Sequence, residues 1–178
     1  MSGWIPGRTL DTIMKILIAY DGSADAKAAV ALAGHLFDRS TAVVLTVWEG
    51  FSTVVARAQA GGASTFDFEQ IDAQCEQWAR ERAIEGAGHA RAAGLQAEAR
   101  AAHRRQSIAD TILAEATTAG AELVVLGTRG LTGVRSLLLG SVSRAVLQHS
   151  GLPVLVAPAT ARETETPPAG EPFLSAKL

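Results

Sequence analysis

Gly127-Thr128-Arg129-Gly130, then nine residues, then Gly140-Ser141-Val142-Ser143, bring together residue types that can hold an anion. Glycines let backbone N–H groups approach a ligand with no Cβ in the way. A helix start adds N–H groups with no intrahelical partner and about half a positive charge from the helix dipole. The apolar run Glu122-Leu123-Val124-Val125-Leu126 leads into this segment and an apolar helical pattern follows it. A buried strand therefore feeds a glycine-rich loop that ends at a helix, an arrangement suited to phosphate. Ser141 and Ser143 supply hydroxyl donors beside it. The competing explanation is a tight strand-to-helix connection whose glycines only turn the chain.

Other residues could complete such a site. Arg129 or Arg135 could neutralise an outer phosphate through a forked contact, or be solvated surface charges. Asp21 could accept from ribose hydroxyls or help to hold Mg²⁺; it could equally form an Asx turn before Gly22. Val47 could offer backbone groups and an apolar wall to a base, or be plain core. Together these pieces suggest a nucleotide. The sequence contains neither G-x-x-x-x-G-K-[ST] nor, after its first strand, G-x-G-x-x-G. Both a P-loop ATPase and a nicotinamide dehydrogenase are thereby disfavoured.

The elements that must position these residues follow from hydrophobic patterning. Met14 to Tyr20 reads as a buried strand ended by Asp21-Gly22-Ser23. Ser23 caps a helix with Ala26, Ala29, Val30, Ala33 and Phe37 on one face. Ala42 to Trp48 is a second strand, apolar throughout as a two-sided parallel strand must be. Residues 49 to 65, rich in Gly, Ala and Ser, are expected to form a mobile loop. A long helix is expected from about Phe66 to Ala93, its stripe running through Phe68, Ile71, Cys75, Trp78, Ala79 and Arg82. Leu95 to Ala101 alternates as a half-exposed third strand. Ser107 caps a helix with Ile108, Ile112 and Ala116 inward, which Gly120 ends. After the fourth strand and glycine loop, a helix from about Ser141 to His149 places Val142, Ala145, Val146 and His149 on one side. Leu152 to Ala157 is a fifth strand.

Strands alternating with helices give an α/β fold, a parallel sheet covered on both faces with right-handed crossovers. Such sheets bind ligands beyond the carboxyl ends of their strands, where the winding direction switches. Asp21 and Gly127 both fall on that rim and flank one crevice if strands one and four are neighbours. Residues 1–13 read as an N-terminal extension, 14–158 as one nucleotide-binding domain, and 159–178 as a disordered tail.

Composition limits the function classes. The chain has 178 residues, 48% of them hydrophobic and 5% aromatic, with a formal charge of −2. That balance does not point to nucleic acid. The lone Cys75 excludes an intramolecular disulfide and a Cys-based zinc site. No apolar run reaches the roughly 18 residues of a membrane span, and Pro6, Gly7, Arg8 and Asp11 interrupt any signal-like segment. A cytoplasmic protein is expected. The fifth strand, apolar at Leu152, Val154 and Val156, leaves a sheet edge that can pair with a second copy about a twofold axis, unless the tail covers it.

The pattern from Met14 to Pro158 resembles the universal stress protein family in its ATP-binding branch. The resemblance is carried by Ile18-Ala19-Tyr20-Asp21-Gly22-Ser23, Leu45-Thr46-Val47-Trp48-Glu49, Gly127-x2-Gly130-x9-Gly140-Ser141 and Leu152-Pro153-Val154-Leu155-Val156. It implies a single three-layer domain with a five-stranded sheet in order 3-2-1-4-5 and a homodimer through the last strand. It implies that Ala19, Asp21 and Val47 surround adenine and ribose. It also implies that Leu126, Gly127, Arg129, Gly130, Gly140, Ser141, Val142 and Ser143 hold ribose and phosphates, with ATP, accompanied by Mg²⁺, as the ligand. Arg129 departs from the family, where His or another polar residue is common. The basic stretch His103-Arg104-Arg105 is also unusual there and is expected to face solvent rather than phosphate.

Hydrolysis needs a positioned water, a base and charge stabilisation, and the loop supplies donors without a base. Candidates elsewhere are Asp21, which a ribose contact would occupy, and His103, of unknown placement; His35, His89 and His149 fall within helical patterns and read as structural. The expectation is an ATP-binding regulator of the stress response with slow or no hydrolysis and an unidentified protein partner. Alternatives are an adenylating or ATP-hydrolysing enzyme, and a structural dimer that binds no nucleotide. Asp21-Gly22-Ser23 is too short for the pyrophosphate loop that an adenylating enzyme would need.

Overall fold

The computed structural model describes residues 13–50, 68–130 and 139–158. The expected loop at 49–65 (beyond Gly50), the C-terminal tail, all but the last residue of the N-terminal extension, and Arg135 lie outside those residues. The described chain runs β1 (Lys15–Ala19), α1 (Ala24–Leu36), β2 (Thr41–Trp48), α2 (Phe68–Ala92), β3 (Gln96–His103), α3 (Ile108–Ala119), β4 (Leu123–Gly127), α4 (Ser141–His149) and β5 (Val154–Ala157). The five strands form one sheet in the order β3-β2-β1-β4-β5, and every pairing is parallel.

Alternation along each strand divides the apolar residues between two cores. Ile16 and Ile18 of β1, and Tyr20 just after it, pack with Ala26, Ala29, Val30 and Ala33 of α1 and with Ala87 and Ala90 of α2. Leu17 points the other way, to Ile112 and Ala116 of α3 and Val146 of α4. Both faces of β1 are therefore dry: Ile16, Leu17 and Ile18 are 0% exposed. This is why the central strands read as unbroken apolar runs, and why the edge strand β3 does not.

The helix signals in the sequence act as expected. Ser23 accepts the Ala26 N–H at 3.1 Å and starts α1. Ser107 accepts the Asp110 N–H at 3.0 Å and starts α3. Gly120 ends α3 at φ 65°, a left-handed C-terminal position that glycine adopts without Cβ strain. β3 runs to His103, further than the alternation predicts, because its pairing with β2 continues to Trp48 opposite His103.

The long helix α2 differs from expectation in the face it buries. Its covered residues are Ala79, Ala83, Ala87 and Ala90, together with Gly86, while Trp78 is 46% exposed. The cause is close approach. A Cβ on Gly86 would stand 2.6 Å from the Tyr20 ring and 2.9 Å from Val44. Only small residues fit that seam, and the larger ones are displaced to its margins. His149 likewise lies exposed rather than on the inner side of α4 with Val146.

A polar hub fastens α2 above the end of β1. The Tyr20 hydroxyl donates to Glu85 Oε1 at 3.0 Å. Arg82 reaches Glu85 Oε2 at 2.9 Å, and Lys27 of α1 reaches Oε1 at 3.4 Å. Burial, reinforced by Glu85, pushes the Tyr20 phenol above its usual range. For Glu85, burial alone would raise the carboxyl; hydrogen bonds from Tyr20 and Lys27 and the charges of Arg82 and Lys27 outweigh it and hold it below the usual carboxylate value.

Two stability measurements follow. Gly86→Ala should lower the urea-derived stability by about 1 kcal/mol, since overpacking costs about 1–3 kcal/mol against a helix gain of about 1 kcal/mol. Gly88→Ala, with nothing within 4 Å of the added Cβ, should raise it by up to about 1 kcal/mol. Shifts of the same sign would contradict the tight seam. A carboxyl depressed in the folded state stabilises above its unfolded value of about 4.3 and loses that contribution as pH falls through the folded value. Glu85→Gln should therefore flatten acid destabilisation below about pH 5 by less than about 1 kcal/mol, the group being half-exposed. An unchanged acid limb would remove Glu85 from that role.

Candidate functional site

The β1–β4 pairing, with Ile16, Leu17 and Ile18 opposite Leu123, Val124 and Val125, brings the ends of both strands to one rim. A crevice of about 390 Å³ opens there, lined by Ala19, Asp21, Val47, Leu126, Gly127, Arg129, Gly130, Gly140, Ser141, Val142 and Ser143, the residues that the family resemblance implies. The volume lies within the range of small-molecule sites. One end is apolar, walled by Val47, Leu45, Ile108 and Ile112; the other is formed by the glycine segment and the start of α4.

Gly140 is the N-cap of α4, and no side chain caps the helix. Its own N–H goes to the Thr128 carbonyl at 2.7 Å, while its carbonyl accepts from Arg144 at 3.0 Å. The first-turn amides of α4 thus begin at the crevice wall, beside Ser141, which is exposed. Ser143 is used differently: it is 4% exposed, and its hydroxyl donates to the carbonyls of Gly127 at 2.8 Å and Thr128 at 3.2 Å. That proton fastens α4 to the end of β4.

Gly127 and Gly130 each have a spatial reason. A Cβ on Gly127 would lie 2.6 Å from the Asp25 Cβ and 2.7 Å from the Asp25 backbone carbon. Gly127 therefore lets the first turn of α1 rest on β4. A Cβ on Gly130 would lie 2.6 Å from Asp21 Oδ2, so Gly130 leaves room for that carboxylate. Asp21 Oδ1 accepts the Ser23 N–H at 2.9 Å, the Asx-type turn, and the same side chain lines the crevice. Its structural role and its place in the site coexist.

Asp25 was not legible as part of this region. It is 7% exposed in the first turn of α1, where an acid ordinarily complements the helix dipole. Here its Oδ2 accepts from the Thr128 hydroxyl and from the Arg129 N–H at 3.0 Å, and it stands 3.5 Å from Arg129 Nε. Only the adjacency of β1 and β4 could reveal that. Ile108, expected to face inward, is 37% exposed and walls the crevice. Its signal was an apolar residue directly after the Ser107 cap, because helix starts face this rim.

The basic stretch at the end of β3, His103-Arg104-Arg105, does not line the crevice. His103 sits edge-on to Trp48, ring centroids 4.7 Å apart. Arg104 pairs with Glu49 at 2.8 Å, and Arg105 approaches Glu115 at 3.8 Å. Among the described residues no group of three or more His, Cys, Asp or Glu could hold a metal ion, and no helix is long and apolar enough to cross a membrane.

Comparisons with known proteins agree with this architecture. The family model of the universal stress protein family matches residues 12–158. The Bacillus subtilis universal stress protein YxiE is 33% identical over 145 residues, covering 80% of this chain and 97% of its own. Among solved structures, hypothetical protein MJ0577 superposes with a TM-score of 0.66 at 19% identity, over 82% of this chain and 96% of that one. The Archaeoglobus fulgidus universal stress protein in complex with dAMP gives a TM-score of 0.53 at 23% identity, over 82% and 99%. These two likenesses concern the fold. With the family match spanning β1 to β5 and the relative in B. subtilis aligned along nearly its whole length, this chain belongs to the universal stress protein family.

Proposed function

We propose that this protein binds an adenine nucleotide in the crevice between β1 and β4, as a cytoplasmic regulator in the stress response rather than as an efficient enzyme. The observation that carries the proposal is convergence: Asp21, Val47, the glycine segment and the uncapped start of α4 line a single crevice. The dAMP complex of the A. fulgidus relative supports the choice of adenine.

In this proposal the apolar end, with Ala19, Val47 and Ile108, takes the base. Asp21 accepts from ribose hydroxyls. Leu126 lines the passage between the two ends, and the N–H groups of Gly127 and Gly130 with those of Ser141, Val142 and Ser143 meet the phosphates. Ser141 adds a hydroxyl donor and Arg129 a positive charge. ATP is proposed as the ligand, accompanied by Mg²⁺ that the phosphates bring with them. The one carboxylate among the described lining residues, Asp21, is engaged by the Ser23 N–H. It is therefore poorly suited to deprotonate a water, and hydrolysis is expected to be slow or absent.

A homodimer is proposed through β5. That strand ends the sheet, and its apolar Val154 and Val156, with Leu152 just before it, are only half-buried. A second copy would satisfy the edge about a twofold axis.

Isothermal titration should give a submillimolar ATP affinity in the presence of Mg²⁺. Gly140→Val, which crowds the Thr128 carbonyl, and Ser141→Glu, which places a negative charge at the start of α4, should each abolish it. Tight binding that survives both substitutions would refute the site. Light scattering at micromolar concentration should give twice the 18.5 kDa chain mass; a clean monomer would refute the dimer.

A further inference from the structure

We propose that Asp25 sets how many phosphate charges this site tolerates, acting through Arg129; the inference rests on the nucleotide reading above. Arg129 is the cation among the described residues that line the crevice. Its Nε stands 3.5 Å from Asp25 Oδ2, and its backbone N–H donates to the same oxygen. Asp25 is nearly covered, whereas the Arg129 side chain is 30% exposed. The carboxylate is thus the more deeply buried member of the pair. The positive charge offered to a ligand is largely balanced before any ligand arrives.

Asp21 lines the same crevice, its carboxylate against Gly130, and adds a second negative charge. Among the described lining residues and their printed partners, Asp21, Asp25 and Arg129 together sum to −1. The α4 dipole contributes about half a positive charge, which leaves these groups with no net positive charge to set against a free polyanion. A nucleoside monophosphate, or a triphosphate neutralised by a divalent cation, fits this balance. A metal-free triphosphate does not.

The chemistry at Asp25 separates charge from shape. Asn at this position keeps an oxygen that can accept from the Thr128 hydroxyl and the Arg129 N–H, while removing the charge. Gly127 stays in contact with the same Cβ, so the bend after β4 retains its support. Thr128 keeps its partner as well. What changes is the field felt by a phosphate held on Arg129.

Titration calorimetry of AMP and ATP in EDTA, on wild type and Asp25→Asn, tests this. Wild type should bind AMP at least as tightly as metal-free ATP, and Mg²⁺ should favour ATP. Asp25→Asn should shift the ATP-to-AMP affinity ratio towards ATP on the order of tenfold at low ionic strength, a gain that shrinks in high salt. A merely structural role would weaken both nucleotides together and leave the ratio unmoved; an unmoved ratio with both nucleotides bound overturns the proposal. Wild-type protein that prefers metal-free ATP by tenfold or more overturns it without recourse to the variant. Wild-type protein that binds neither nucleotide defeats the nucleotide reading itself, and this inference with it.

Discussion

The contact between the first turn of α1 and the end of β4 is the constraint on which the site depends. Gly127 has no Cβ, so the Asp25 backbone and side chain can lie where a larger residue would collide. From there the Asp25 carboxylate holds the Thr128 hydroxyl and the Arg129 N–H. Ser143 holds the Gly127 and Thr128 carbonyls from the other side. Gly140 closes the path by donating to Thr128. The bend is anchored at three points, none of which spends the first-turn amides of α4. The loop is tied down through its carbonyls, the Thr128 hydroxyl and the Arg129 and Gly140 N–H groups, and the first-turn amides of α4 are left for an anion, which is what preorganisation requires of a binding site.

The sheet explains why these anchors meet. β1 is central and dry on both faces, and β4 is its neighbour. The segments that leave the two strands emerge side by side. The helices are divided, α1 and α2 on one face and α3 and α4 on the other, so the crevice receives residues from both layers. Val47 and Ile112 reach it from one core, Tyr20 and Ala26 from the other. The apolar end and the amide-rich end are therefore joined by the same strand rim, with Asp21 between them.

Much of this was legible because it is local. Ser23 and Ser107 announce helix starts, Gly120 announces a helix end, and unbroken apolar runs announce strands buried on two faces; each rule concerns a few consecutive residues. The strand order and the set of lining residues came from the family resemblance, and the order agrees with the sheet. What escaped is non-local. Asp25 and Arg129 are 104 residues apart, and nothing in either neighbourhood names the other. The small-residue seam of α2 escaped for a related reason: hydrophobic patterning favours Trp78 over Gly86, yet it is the distance between helix and sheet that decides which one fits. Ser143 shows the same limit, since a hydroxyl in a promising spacing gives no sign that two carbonyls lie within its reach.

The central claim is that backbone amides at the end of β4 and the start of α4 meet a nucleotide phosphate. Amide chemical shifts in a ¹⁵N-labelled sample, followed while AMP is added, test it most directly. The account predicts that the largest shifts fall on Gly127, Gly130, Ser141 and Val142, with smaller ones at Asp21 and Val47. Shifts confined to other parts of the chain, or none at saturating nucleotide, would contradict it.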